Sequence, residues 1–229
     1  MASMNEYEPI DFTRTCTIRV GYPESLKEYI VHEGLLTSCS KFFRLALKAG
    51  WKESEDRVVY LPEENGAVVE QYLHLLYHRQ IGHFRAQAKD DQKNDSNNAQ
   101  DAQDQICENL CDLYLFADRV QDTDAKNTIM DAMYSLCIEQ IGTVSQYAKG
   151  YTPNLASIEK IYYGTPGPCP IRQFFAELYA CRAQKSWCAA FNIAIWPREF
   201  LEEMIDMYTT FKKPTANPFK NRLKFHEIE

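Results

Sequence analysis

The stretch from Tyr29 to Leu47, YIVHEGLLTSCSKFFRLAL, constrains the fold more than any other part of this chain. Tyr29, Ile30 and Val31 open it as a strand. His32 follows, then two short helical turns built on Leu35 and Leu36, then a polar break, Thr37-Ser38-Cys39-Ser40. Phe42, Phe43, Leu45, Ala46 and Leu47 recur with helical spacing, and Lys41–Ala49 reads as an amphipathic helix with Ser40 as its N-cap and Gly50 as its stop. A strand that runs into two short helices without a long loop is uncommon.

The residues on either side fit around this element. Thr15 to Gly21 alternates, with Cys16, Ile18 and Val20 on one face and Thr15, Thr17 and Arg19 on the other, as in a half-buried strand. Tyr22-Pro23-Glu24-Ser25 turns the chain, and Lys27–Val31 returns antiparallel. At a sheet edge, Thr15–Val20 would offer unpaired backbone groups to a second copy. Downstream, Trp51–Ser54 reads as a connection, Arg57–Leu61 as a strand ended by Pro62, and Gly66–His78 as a helix. Ile81–Phe84 is a short strand at best. Gln87–Gln105 has no large apolar residue and is expected to be disordered or an exposed loop. Two helical stripes follow, Ile106 to Ala117 and Ile129 to Ile141, the second with Thr123 or Asp124 as its cap. Their short connection predicts an antiparallel pair. Beyond Gly142 the periodicity predicts helices around Leu155–Tyr162, Ile171–Trp187 and Arg198–Phe211. Residues 1–13 read as a flexible lead and 212–229 as a polar tail.

Several motifs in this order resemble the BTB/POZ family. The strand into His32-Glu33-Gly34-Leu35-Leu36 matches its H-x-x-L-L, and Ser40-Lys41-Phe42-Phe43 matches its S-x-x-F. Trp51-Lys52-Glu53-Ser54, Val58–Pro62 and Leu75-Leu76-Tyr77 continue the match, and Cys169-Pro170-Ile171-Arg172 resembles a step in the C-terminal helices of the BTB proteins common in filamentous fungi. The resemblance covers roughly residues 14–141. It implies an α+β, BTB/POZ fold: a small, mostly antiparallel sheet flanked by a cluster of α-helices over 14–141, with 87–105 as a polar insertion, then an all-α extension over 151–211. It also implies an interaction protein without catalysis or cofactor, self-associating as a homodimer. The residues it points to for that interface are Thr15, Ile18, Val20, Leu35, Leu36 and Phe43. Thr15 stands where the family usually has an Asp, which alters that contact. A common partner in the family is the cullin scaffold of a ubiquitin ligase, with the BTB protein as substrate adaptor. The candidate surface for it comprises Val68, Val69, Glu70, Tyr72, Tyr77, Met130 and Tyr134, where Val68-Val69-Glu70 fits a hydrophobic-x-Glu motif. A cullin-independent scaffold or transcriptional co-regulator is the alternative.

Charge and composition narrow the remaining classes. A net charge of -7 disfavours nucleic acid as the main partner, since phosphate binding needs a basic surface. No apolar run approaches the roughly 18 residues of a membrane span. MASMNEYEPIDF has neither the basic start nor the apolar centre of a secretory signal. Eight cysteines without a C-x-x-C pair read as free, mostly buried thiols in a reducing compartment, cytoplasmic or nuclear, rather than as a metal site. His32 and Cys39 are the one pair that could be read as base and nucleophile. The plainer reading has His32 fixing the strand-to-helix corner. Glu63-Glu64 and Glu202-Glu203 read as solvated.

Overall fold

Alternation puts Cys16, Ile18 and Val20 on one side of the first strand. In the computed structural model, which describes residues 9–81, 96–139, 150–182, 195–210 and 221–227, those three side chains are buried. Strand β1 (Thr15–Val20) pairs antiparallel with β2 (Lys27–His32) and parallel with β3 (Val58–Leu61), giving the order β2-β1-β3. The protein is therefore α+β, but its sheet is evenly mixed rather than mostly antiparallel. β1 also lies at the centre and not at the edge. A parallel neighbour needs a crossover, and three short helices provide it.

The crossover begins at His32, where β2 passes into α1 (Glu33–Cys39). The residues read as a polar break stay helical because Thr37 donates to the Glu33 carbonyl at 3.0 Å and Ser38 to that of Leu35 at 2.9 Å. Ser40 then caps α2 (Lys41–Ala46), accepting the Phe43 N–H at 3.1 Å and donating to the Val120 carbonyl at 2.5 Å. This helix ends earlier than expected, at Ala46. Lys52–Asp56, read as a connection, forms α3. Residues 9–13 do not hang free: Ile10 packs on the core, and a Cβ on Gly34 would collide with the Asp11 carbonyl. The backbone's close approach there requires glycine.

Helix α4 (Gly66–His78) buries Val69, Tyr72, Leu73, Leu75 and Leu76. It packs on α1 and on α5 (Ser96–Arg119), which also packs on α6 (Thr123–Tyr134) and α7 (Leu155–Gly164). The polar stretch expected to be disordered or an exposed loop is helical from Ser96 onward. Its polar side chains find partners: Tyr151 donates to Asp104 at 2.8 Å and Asn154 to Glu108 at 3.1 Å. Residues 87–95 and the short strand expected at 82–84 lie outside the described residues. The cap of α6 is Asp122, one position before the candidates Thr123 and Asp124, because Gln121 takes a left-handed conformation (φ 55°). A π-helical turn, Ser135–Glu139, continues α6, while Ile141 is outside the described residues.

Helices α8 (Pro170–Arg182) and α9 (Arg198–Thr210) complete the helical layer. Positions 183–187 of the longer helix expected there, and Phe211 of the next one, are outside the described residues. Two buried arginines tie this layer together. Arg172 donates to Thr165 Oγ1 (2.7 Å), to the Tyr162 and Thr165 carbonyls (2.7 and 2.6 Å) and to Glu199 (2.5 Å), with its guanidinium 4.6 Å from the Tyr162 ring centroid. Arg182 donates to the Tyr151 carbonyl and, at 2.8 Å, to that of Cys137. One continuous apolar core runs from Cys16 to Phe225. The tail was expected to be solvated, yet residues 221–227 fold back as a strap. Its single 3₁₀ turn, Arg222–Phe225, buries Phe225 against Phe174, with ring centroids 5.1 Å apart.

Candidate interaction surface

Inward-facing residues of the sheet meet the helices, and nothing among the described residues covers the opposite face. Register builds that face row by row. Glu28, Arg19 and Tyr60 lie across the three strands, then Ile30, Thr17 and Val58, then His32 beside Thr15. Arg19 links the first row, donating to Glu28 at 2.6 Å and to the Tyr60 hydroxyl at 2.7 Å. Those bonds hold its guanidinium above its ordinary pKa. In the middle row Ile30 and Val58 flank Thr17, and Ile30 is 77% exposed, an unusual position for an isoleucine.

His32 extends the patch. Its ring meets Phe12 edge-on at 5.3 Å, and its Nδ1 lies 2.9 Å from the hydroxyl of Tyr77 on α4. The same hydroxyl takes the His32 N–H at 3.2 Å, so one tyrosine binds both the ring and the backbone at the start of α1. Ile30 and Tyr60 are thus exposed on the outer face of the sheet, and Phe12 and Tyr77 are exposed on either side of His32. Cys39, at the far end of α1, borders a separate polar cleft of about 250 Å³ with Lys41, Arg44 and Asp124. His32 and Cys39 do not form a common site. Among the described residues no group of three or more His, Cys, Asp or Glu side chains could hold a metal ion.

Several residues expected at interfaces are core residues instead. Ile18, Val20, Leu35, Leu36 and Phe43 are buried under the sheet and between α1 and α2, so they cannot touch a partner while this fold is intact. Only Thr15 of that set is exposed. Val69, Tyr72, Met130 and Tyr134 are also buried, leaving Val68, Glu70 and Tyr77 accessible on α4. Tyr72 has an internal partner: its hydroxyl donates to Asp122 at 2.9 Å. The reason is common to both sets. A motif shows that a residue type is required, and here the requirement is packing.

No family model matches this chain, and no curated protein matches it.

The residues the sequence reading missed are Phe12, Ile30, Val58 and Tyr60. A signal for Ile30 was available: Glu28, Ile30 and His32 share one parity of β2, so an apolar residue there breaks the polar face. Tyr60 and Val58 needed the register of β3 on β1, which a strand pattern alone does not supply.

The thiols fit a structural role. Cys16, Cys39, Cys107, Cys111, Cys137, Cys169 and Cys181 are unpaired, and burial pushes Cys16 and Cys181 up to about 11. Cys188 lies outside the described residues. No described helix is long and apolar enough to cross a membrane.

Proposed function

We propose that this chain is a protein-interaction module of the BTB/POZ type that self-associates, binds rather than catalyses, and recruits other proteins. The observation that carries this reading is the outer face of the sheet, where Ile30 (77% exposed) and Tyr60 stand open, with Phe12 and Tyr77 exposed beside His32 at its end. Large exposed apolar groups gathered on one face mark association surfaces more often than catalytic sites. The family motifs support it too: His32 anchors the strand-to-helix corner, and Ser40 ties α2 to the end of α5. The test is mass by light scattering at micromolar concentration. The intact protein should be a dimer and Ile30→Lys a folded monomer. A monomeric intact protein would end this reading.

As a substrate adaptor for a cullin-type ubiquitin ligase, the chain would use Val68, Glu70 and Tyr77 on α4. Titration with a cullin N-terminal domain tests this, with binding at micromolar Kd or tighter expected, about -8 kcal/mol. One observation favours the alternative, a cullin-independent scaffold or transcriptional co-regulator: burial removes Val69, Tyr72, Met130 and Tyr134 from the available contact. A folded protein that gives no heat would select that scaffold. Seven unpaired thiols support a reducing compartment, cytoplasmic or nuclear.

A further inference from the structure

Residues 221–227 lie on the helical layer in the manner of a bound peptide. Among the described residues, their main-chain-to-main-chain bonds are local, from the Lys224 N–H to the Asn221 carbonyl and from the His226 N–H to the Leu223 carbonyl. The body holds the strap instead through side chains of α5, α6 and α8. Asn127 is the central contact. Its amide oxygen accepts the Glu227 N–H at 2.8 Å and its amide nitrogen donates to the Glu227 carbonyl at 3.2 Å. A two-point amide clamp of this kind grips the main chain of any residue, as a strand partner would.

Further contacts read side chains. Asp131 Oδ1 on α6 meets His226 Nε2 at 3.0 Å and Arg222 Nε at 3.3 Å. The Phe225 ring is enclosed edge-on against Phe174. The Glu227 carboxylate accepts from the Tyr114 hydroxyl at 2.8 Å and from Lys126 Nζ at 2.5 Å. Burial of Lys126 opposes its charge, but the hydrogen bonds it donates to Glu227 and Asp118 outweigh that and raise its pKa. Lys224 reaches Glu177 Oε1 on α8 at 2.5 Å. Glu177 is 1% exposed, and its second oxygen, Oε2, is buried without a hydrogen-bond partner. A cleft of about 320 Å³ between Tyr114 and the Pro166–Cys169 turn borders Glu227. A segment that served only as a staple would be expected to satisfy its partners. Among the described residues, this one leaves the acceptor Glu177 Oε2 unused.

From this we infer that the α5–α6–α8 groove is a peptide-binding site, occupied in cis by the chain's own strap. Its ligand is a segment of a partner protein bearing Lys-aromatic-His-Glu, in which the lysine meets Glu177, the aromatic ring meets Phe174, the histidine meets Asp131, and the glutamate meets Lys126 and Tyr114. Being part of the same chain, the strap competes at an effective concentration on the order of millimolar, so partner segments enter only when abundant or when the strap is displaced. The groove lies apart from the bare sheet face, and its occupancy is read separately from self-association.

The test uses the full chain with a protease-recognition sequence replacing residues 213–218, folded first and then cut. The probe is a fluorescein-labelled peptide copying residues 221–229, followed by anisotropy. The cut protein should take up the probe saturably, and the uncut protein at least about tenfold more weakly. Asn127→Ala should weaken uptake about tenfold, and probes carrying Phe225→Ala or Glu227→Gln should bind at least as poorly as that. An unlabelled peptide keeping only Lys-Phe-His-Glu in unrelated flanks should displace the probe. A cut protein that keeps its melting temperature but takes no probe would overturn the inference. So would one that unfolds on cutting, which would make the strap a staple. Equal uptake of the altered probes, or failure of the minimal peptide to compete, would overturn it as well.

Discussion

The sheet and the helical layer of α7 to α9 bury their backbones in different ways. Each strand of the sheet gives its carbonyls to the next, so its interior needs only apolar side chains such as Ile18, Val31 and Val59. In the helical layer the described connection from α7 to α8, residues 165–169, is irregular, and helix ends leave carbonyls without partners. There the donors are side chains. Arg172 satisfies Tyr162 and Thr165 at the end of α7, and Arg182 satisfies Tyr151 and Cys137. A region that pairs its own backbone can leave one face free for partners. A region that does not must bury charge to hold together.

That contrast can be broken by mutation, beginning with the arginines. Arg172→Met should cost about 3–5 kcal/mol in urea unfolding, because it strands buried carbonyls rather than merely removing an ion pair. Arg172→Lys should recover little of this, since an ammonium cannot reproduce the guanidinium fork. A loss under about 1 kcal/mol would mean that packing alone holds the layer.

The next effect is at Asp122, where α4 meets α6. Asp122→Ala removes the cap from Ala125 and the acceptor from buried Tyr72, for about 2–3 kcal/mol. Burial raises the Asp122 pKa above the usual 3.8, partly offset by the hydrogen bonds from Ala125 and Tyr72. A raised carboxyl favours folding most when protonated. Its contribution is therefore full below pH 3.8 and falls as pH rises through the folded-state pKa. Asp122→Asn keeps one acceptor and should flatten that part of the stability–pH curve, measured by urea unfolding at each pH.

Ser40→Ala should cost about 1–2 kcal/mol, since it removes a cap and leaves the Val120 carbonyl without its donor. The smallest change is on the bare face. Compared at a concentration where both proteins are monomeric, Ile30→Lys should alter stability by no more than about 0.5 kcal/mol. A larger loss between monomers would show that the outer face is part of the core after all.

The same division decides what could be read from the chain. Alternation in Thr15–Val20 gave the buried face of β1, and the Ser40 cap and the α4 stripe followed from local chemistry. These features depend on neighbours in sequence. The centrality of β1 depends on Arg57–Leu61 arriving beside it, and that is a distant pairing. The first described turns of α5 carry few apolar side chains and take their partners from Tyr151 and Asn154, so composition alone suggested no structure. The strap hid in the same way, with only Phe225 to mark it in a polar stretch. At the candidate surface, Tyr77, Thr15 and Glu70 were named and are exposed, while Val68 is half-buried against the core. The buried members of those sets were misplaced because motif residues that fix packing and motif residues that meet partners look alike in a single sequence.

Strand β1 has one neighbour that follows at once and another that comes much later. Its hairpin with β2 needs only a short turn, whereas Thr17 and Gly21 must wait for the carbonyls of Arg57 and Leu61. Distant pairing is slow relative to local pairing, so during synthesis one flank of β1 stands open until three helices have been made and β3 has emerged. The chain is then most exposed to aggregation while still growing rather than after completion. Substitutions in Val58–Leu61 should accordingly lower yield from cells more than their effect on the melting of the finished protein would suggest.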